Sequence, residues 1–164
     1  MSCVLALALD DAAQQRFDAL RQQWFPPARN QIPAHLTLFH TLPETEHVEA
    51  VLQAVAQTAA TFAMQVGSVR SLGRGVAFFL DSHAAMAVER QLRGAFLEQL
   101  TPQDRQGFRP HVVVQNKVEP AVAKETLAML QAGFTPWECR AVGLDLWRYL
   151  GGPWKLLRRF DFAG

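Results

Sequence analysis

Two stretches, Pro33-Ala34-His35-Leu36-Thr37-Leu38-Phe39 and Phe108-Arg109-Pro110-His111-Val112-Val113-Val114-Gln115, decide how this chain is read. Each begins beside a proline and continues as an alternating pattern, and in a β-strand successive side chains point to opposite faces. Leu36 and Leu38 therefore share one face, and His35, Thr37 and Phe39 share the other. In the second stretch Val112 and Val114 oppose His111, Val113 and Gln115. At a rise of about 3.3 Å per residue, His35 and Thr37 stand roughly 6.7 Å apart on one face, within reach of a single oxyanion. His111 and Val113 stand in the same relation.

Working outward from each histidine strand, the same order of elements appears twice. The apolar run Cys3 to Leu9 reads as a buried strand, and Asp10 then caps a helix whose inward positions are Ala13, Phe17, Leu20 and Trp24. Pro26 and Pro27 end that helix. After the first histidine strand, Val48, Val51, Leu52, Val55 and Ala59 give a second amphipathic helix, followed by a β-like stretch from Phe62 to Leu72. Beyond the turn Gly73-Arg74-Gly75 the order restarts, with a strand Val76 to Asp81 and a helix Ala84 to Leu100 carrying Val88, Leu92 and Phe96 inward. The second histidine strand leads to a helix from Pro120 to about Gln131, with proline at its tolerated first position. Trp137 to Leu150 and Trp154 to Phe162 flank Gly151-Gly152-Pro153 as a closing hairpin. The halves repeat in pattern rather than in letters. One domain over residues 1–164, made of two similar lobes, is expected, with the two histidine strands facing across a cleft.

Composition narrows the function. The 164 residues are 49 % hydrophobic and 19 % charged, far from the balance of a disordered chain. Sixteen Lys and Arg against fifteen Asp and Glu leave a formal charge of +1, so broad affinity for duplex nucleic acid is not expected; a small ligand or a nucleic-acid end is. The longest apolar run is stopped by Asp10 and Asp11 and has no basic flank, which fits neither a membrane span nor a signal peptide. Cys3 and Cys139 are too few for a disulfide framework and sit in apolar stretches. A cytoplasmic monomer without membrane partners is expected. Cysteines, carboxylates and histidines nowhere show metal-ligand spacing, so neither metal nor cofactor is expected. His40 falls on the face opposite His35, His47 opens a helix and His83 sits in a turn, so these read as surface or capping residues.

The pairing of Pro33-Ala34-His35-Leu36-Thr37-Leu38 with Phe108-Arg109-Pro110-His111-Val112-Val113-Val114 resembles the two His-x-Thr/Ser motifs of the two-histidine phosphoesterases, a superfamily that includes 2′,5′ RNA ligase-like proteins and cyclic phosphodiesterases. The duplicated strand and helix order and the Gly-Gly-Pro-Trp hairpin extend the resemblance over nearly the whole chain. It implies a bilobal α+β fold whose two antiparallel sheets flank a central cleft, with helices outside. It also implies metal-free chemistry on a small nucleotide or RNA end carrying a 2′,3′-cyclic phosphate or a 2′,5′ linkage. His35 and His111 then form the acid-base pair and Thr37 binds phosphate. Opening a cyclic phosphodiester needs a base for water and an acid for the departing ribose oxygen, and histidine performs either task near neutral pH.

The second motif departs from the pattern at Val113, which cannot donate to phosphate. A missing hydrogen bond to a charged group costs about 1.5–3 kcal/mol, which weakens catalysis without abolishing it. The alternative is a nucleotide- or RNA-end-binding module of little activity. Gln115, on the face of His111, offers an amide in place of the missing donor or is a solvated strand end. Phe39 either stacks on a base or packs in the core. Arg109, Tyr149 and Lys155 are further candidate substrate contacts, while Trp24, Trp137, Trp147 and Trp154 are read as core and hairpin packing. With both histidines near their ordinary value of about 6.5, a bell-shaped pH profile between roughly 6 and 7.5 is expected.

Overall fold

The computed structural model describes Met1–Gly164. Side-chain caps set three of the four helices. Asp10 accepts from the N–H of Ala13 to start α1 (Asp11–Trp24), Thr45 from Val48 to start α2 (Glu46–Thr58), and Ser82 from Ala85 to start α3 (His83–Ala95). The last, α4 (Pro120–Ala132), opens with proline, whose missing N–H costs nothing at a helix start. The third helix is shorter than its periodicity suggests: it ends at Ala95, and Phe96 closes it with an N–H to the carbonyl of Leu92. No helix is long and apolar enough to cross a membrane.

Seven strands complete the α+β fold: β1 (Ser2–Leu9), β2 (Leu36–Pro43), β3 (Phe62–Ser71), β4 (Val76–Asp81), β5 (His111–Gln115), β6 (Trp137–Tyr149) and β7 (Trp154–Asp161). All pairings are antiparallel, in the order β2-β1-β6-β3-β4-β5, with β7 also on β6. The two sheets implied by the resemblance are here one hydrogen-bonded sheet, and the reason lies in β6. Its 13 residues serve both halves. Ala141 pairs with Leu9 on one edge and Phe62 on the other, while Gly143 pairs with Ala8 and Asp161. β7 and β3 therefore follow one another along the same edge of β6. The early part of β6 joins β3, β4 and β5; its later part joins β7, β1 and β2. The halves also exchange strands, because β3, which follows the first histidine strand, pairs with β4 rather than β1.

At the two ends of this order β2 and β5 nevertheless approach one another, and α1 packs against β5. The core is correspondingly continuous: Leu5, Leu36 and Leu52 belong to the same buried cluster as Val66, Phe78, Leu92 and Val112. Burial of apolar surface at about 25 cal/mol per Å² is what holds the curled sheet and its helices together. One glycine matters for this closure. A Cβ on Gly75 would lie 1.9 Å from the carbonyl oxygen of Gln115, so β4 and β5 meet there only because that side chain is absent. Gly75→Ala is expected to cost about 1–3 kcal/mol as an overpacking change. The check is a chemical melt together with faster amide exchange along Val112 to Gln115.

Both histidine strands carry a bulge at the same place. Leu5 pairs with Phe39 and Ala6 with Thr37, which skips Leu38; Val76 pairs with Gln115 and Ala77 with Val113, which skips Val114. An extra residue in one strand turns the side chains beyond it. Alternation therefore holds from His35 to Thr37 and from His111 to Val113, and then inverts.

Candidate active site

His35 stands immediately before β2, and His111 opens β5. In each ring Nδ1 lies within hydrogen-bond distance of the carbonyl oxygen two residues earlier, 2.9 Å from Pro33 and 2.7 Å from Arg109. A carbonyl only accepts, so Nδ1 donates in both, and Nε2 is left as the reactive nitrogen. Each ring also has an aromatic neighbour. Trp154 of β7 lies 4.5 Å from His35 between ring centroids, and Phe79 of β4 stacks on His111 at 5.2 Å and 19°. Sequence reasoning misses both neighbours: it assigns Trp154 to hairpin packing, and Phe79 carries no motif at all. Each reaches its histidine through strand pairing distant in sequence.

The two imidazoles do not share one environment. Burial pushes His35 down to about 4, opposed by its hydrogen bond to Pro33 and reinforced by the charges of Arg21, His40 and His111. The expectation that both histidines titrate near 6.5 fails for His35, because a charged imidazole there loses water and meets other cations. Arg21, which the sequence did not single out, is 3 % exposed. Its Nη1 donates to the carbonyl of Val113 and its Nε to Oδ1 of Asn30, each at 3.0 Å, tying α1 to β5. The only sequence signal was its place in a helix, where an arginine ordinarily faces solvent.

A cleft of about 270 Å³ has Thr37, His40, Phe79, Arg109 and His111 among its walls. His35 lines a second cavity of about 170 Å³, with Trp147 and the ion pair Asp145–Arg159, that shares no wall residue with the first; His40 and His111 act on His35 electrostatically. Thr37, His111 and Arg109 thus line one cleft, of which His35 is not a wall. The other candidates do not line it. The bulge turns Phe39 into the core, 0 % exposed and edge-on to Phe96 at 6.3 Å. It likewise buries Gln115, whose Nε2 donates to Oγ1 of Thr126 at 2.8 Å and not to the cleft. Val113 is partly buried and is not a wall of the cleft. Tyr149 lines a separate cavity with Arg29 and Lys117. Lys155 is exposed on β7, opposite Arg148. His40, placed by alternation on the far face, is brought into the cleft by the same bulge that removes Phe39.

The largest cavity, about 380 Å³, lies elsewhere, between α1, α4 and β4, and its walls are mostly apolar: Leu20, Phe78, Leu130 and Phe134 among them. It offers no pair of acid-base groups. No three His, Cys, Asp or Glu side chains come together in a metal-holding group.

An α+β sheet in which β5 opens on a histidine and β2 directly follows one, each ring anchored through Nδ1 to the carbonyl two residues earlier, has the form of the two-histidine phosphoesterases as a class. Residues 9–153 match the family described as the 2'-5' RNA ligase superfamily, and the chain belongs to that superfamily. Among solved structures the chain is similar to TT0787 of Thermus thermophilus, with a TM-score of 0.72 at 18 % identity over 100 % of this chain and 99 % of that one. It is similar also to E. coli LigT complexed with 3'-AMP, with a TM-score of 0.64 at 17 % identity over 99 % of this chain and 98 % of that one. LigT complexed with ATP gives a TM-score of 0.59 at 16 % identity, covering 99 % and 98 % of the two chains. At such identities the likeness is one of fold. No curated protein matches the chain.

Proposed function

We propose that the protein is a phosphoesterase that opens 2′,3′-cyclic phosphates or cleaves 2′,5′ linkages on small nucleotides or RNA ends, with His35 and His111 as its acid-base pair. The observation that carries this reading is the matched anchoring of Nδ1 in both rings, which leaves Nε2 of each histidine uncommitted to the backbone. The E. coli LigT structures with 3'-AMP, NADP+ and ATP support a nucleotide as the ligand class. Because His35 is held neutral, its Nε2 lone pair suits the base in hydrolysis. It takes a proton from water as the water oxygen attacks phosphorus. His111 then gives a proton to the ribose oxygen as the P–O bond breaks, and Thr37 donates its hydroxyl to a phosphoryl oxygen where charge develops. In the reverse, ligating direction the two histidines exchange tasks.

Turnover of a panel of 2′,3′-cyclic nucleotides and 2′,5′-linked dinucleotides, with a chelator present, tests the class and the substrate together. Release of a monophosphate from one of them is expected; inertness toward the whole panel, or activity lost to the chelator and restored by zinc or magnesium, overturns the reading. The pH profile tests the base. A value lowered to about 4 means that His35 stays neutral until the pH falls through that value. Since kcat/KM reports free-enzyme ionisations, its acid limb is expected near pH 4, well below the ordinary histidine range of about 6.5. Circular dichroism at each pH separates this limb from unfolding, and an acid limb at about 6 to 7 in a fully folded protein contradicts the assignment of His35 as base.

A further inference from the structure

The cleft contains, beside His111, an imidazole that the proposed reaction leaves unused. Nδ1 of His40 stands 3.0 Å from Oδ1 of Asp104, a carboxylate only 1 % exposed. The same carboxylate accepts the backbone N–H of His40 at Oδ1 and that of Thr41 at Oδ2, each at 2.9 Å. Asp104 comes from the segment between α3 and β5, so it grips β2 just beyond the bulge. A carboxylate held by two backbone N–H groups accepts and does not donate; Nδ1 of His40 must therefore carry its proton, and the ring is fixed in orientation. What remains is Nε2, on a side chain that is half exposed and lines the cleft with Thr37 and His111.

The surroundings fit an anion at that nitrogen. Arg93 is committed to Glu89 and to the carbonyl of Gln106, and Asp104 is occupied as described. Arg109, His40 and His111 are then the cationic or protonatable groups left facing the space, with the Thr37 hydroxyl. His40 and His111 both act electrostatically on His35. The second motif meanwhile has no hydroxyl at Val113, and the Val113 carbonyl is taken by Arg21. We propose that His40, held by Asp104, supplies the donor that Val113 lacks, its Nε2–H donating to a non-bridging oxygen of the phosphate at the cleft. In the bound state the ring carries both protons, one shared with Asp104 and one with the phosphate. This rests on the phosphoester reading above and makes His40 a catalytic residue of the same site, with Asp104 as its positioning residue.

Two measurements test it. In the full chain with isotopically labelled histidine, titration with inorganic phosphate is expected to move the Nε2 resonances of His40 and His111 in step. Movement of His111 alone overturns the proposal and leaves the phosphoester reading standing; a titration that moves no histidine counts against that reading and the proposal with it. In turnover of the best cyclic nucleotide, His40→Ala is expected to lower kcat about 10- to 100-fold with little change in KM, the effect of removing a hydrogen bond to a charged group. His40→Gln, which keeps an N–H donor of similar reach, recovers part of the loss. An unchanged kcat in His40→Ala, or no recovery in His40→Gln, overturns the assignment.

Discussion

His35→Ala and His111→Ala are each expected to lower hydrolysis of a 2′,3′-cyclic nucleotide by at least about 100-fold, because a positioned proton transfer contributes about 10²–10⁴ in rate. The loss is expected in kcat, since the proton moves in the transition state and not in the bound ground state. The double variant is expected to lose less than the product of the two single losses, as groups that act together are not additive. His35 is partly buried and lies against Trp154, so His35→Ala also removes packing. His35→Gln keeps more of that volume and separates lost chemistry from a loosened site. If either alanine variant turns over at the wild-type rate while remaining folded, the pair is wrongly assigned.

Phe39→Ala is expected to act through stability. As a fully buried ring packed edge-on against Phe96, with the Arg93 guanidinium 5.8 Å from its centroid, Phe39 fills space that nothing else occupies. Truncating a buried phenylalanine costs about 3–5 kcal/mol from lost transfer free energy and from the cavity left behind. Urea unfolding is the measurement: the midpoint drops while the slope is kept. A ring that stacked on a nucleobase would behave in the opposite way, raising KM and leaving the midpoint in place, and that outcome would return Phe39 to the cleft. Phe79 is the contrasting aromatic. It is partly exposed, lies on His111 and lines the cleft.

Most of the chain's architecture was legible in its residues. The Asp10 cap, the proline that opens α4, the strand Val76–Asp81 and the strand His111–Gln115 all form where local signals placed them. So did the order of elements in each half, and with it the resemblance that led to the family. These features depend on side chains a few positions apart along one segment, so the sequence by itself determines them: capping satisfies a helix's own N–H groups, and alternation follows from the strand's own pleat. The tertiary structure decided the rest. The bulges at Leu38 and Val114 exist only against β1 and β4, and they bury Phe39 and Gln115. Beyond its own bulge, β2 also turns His40 toward Thr37 and His111. Only the tertiary pairing of β6 with β1, β3 and β7 turned two halves into one sheet, and only the folded core withdrew water from His35. Register and desolvation are set by partners far away in the chain, so a single segment carries no record of them.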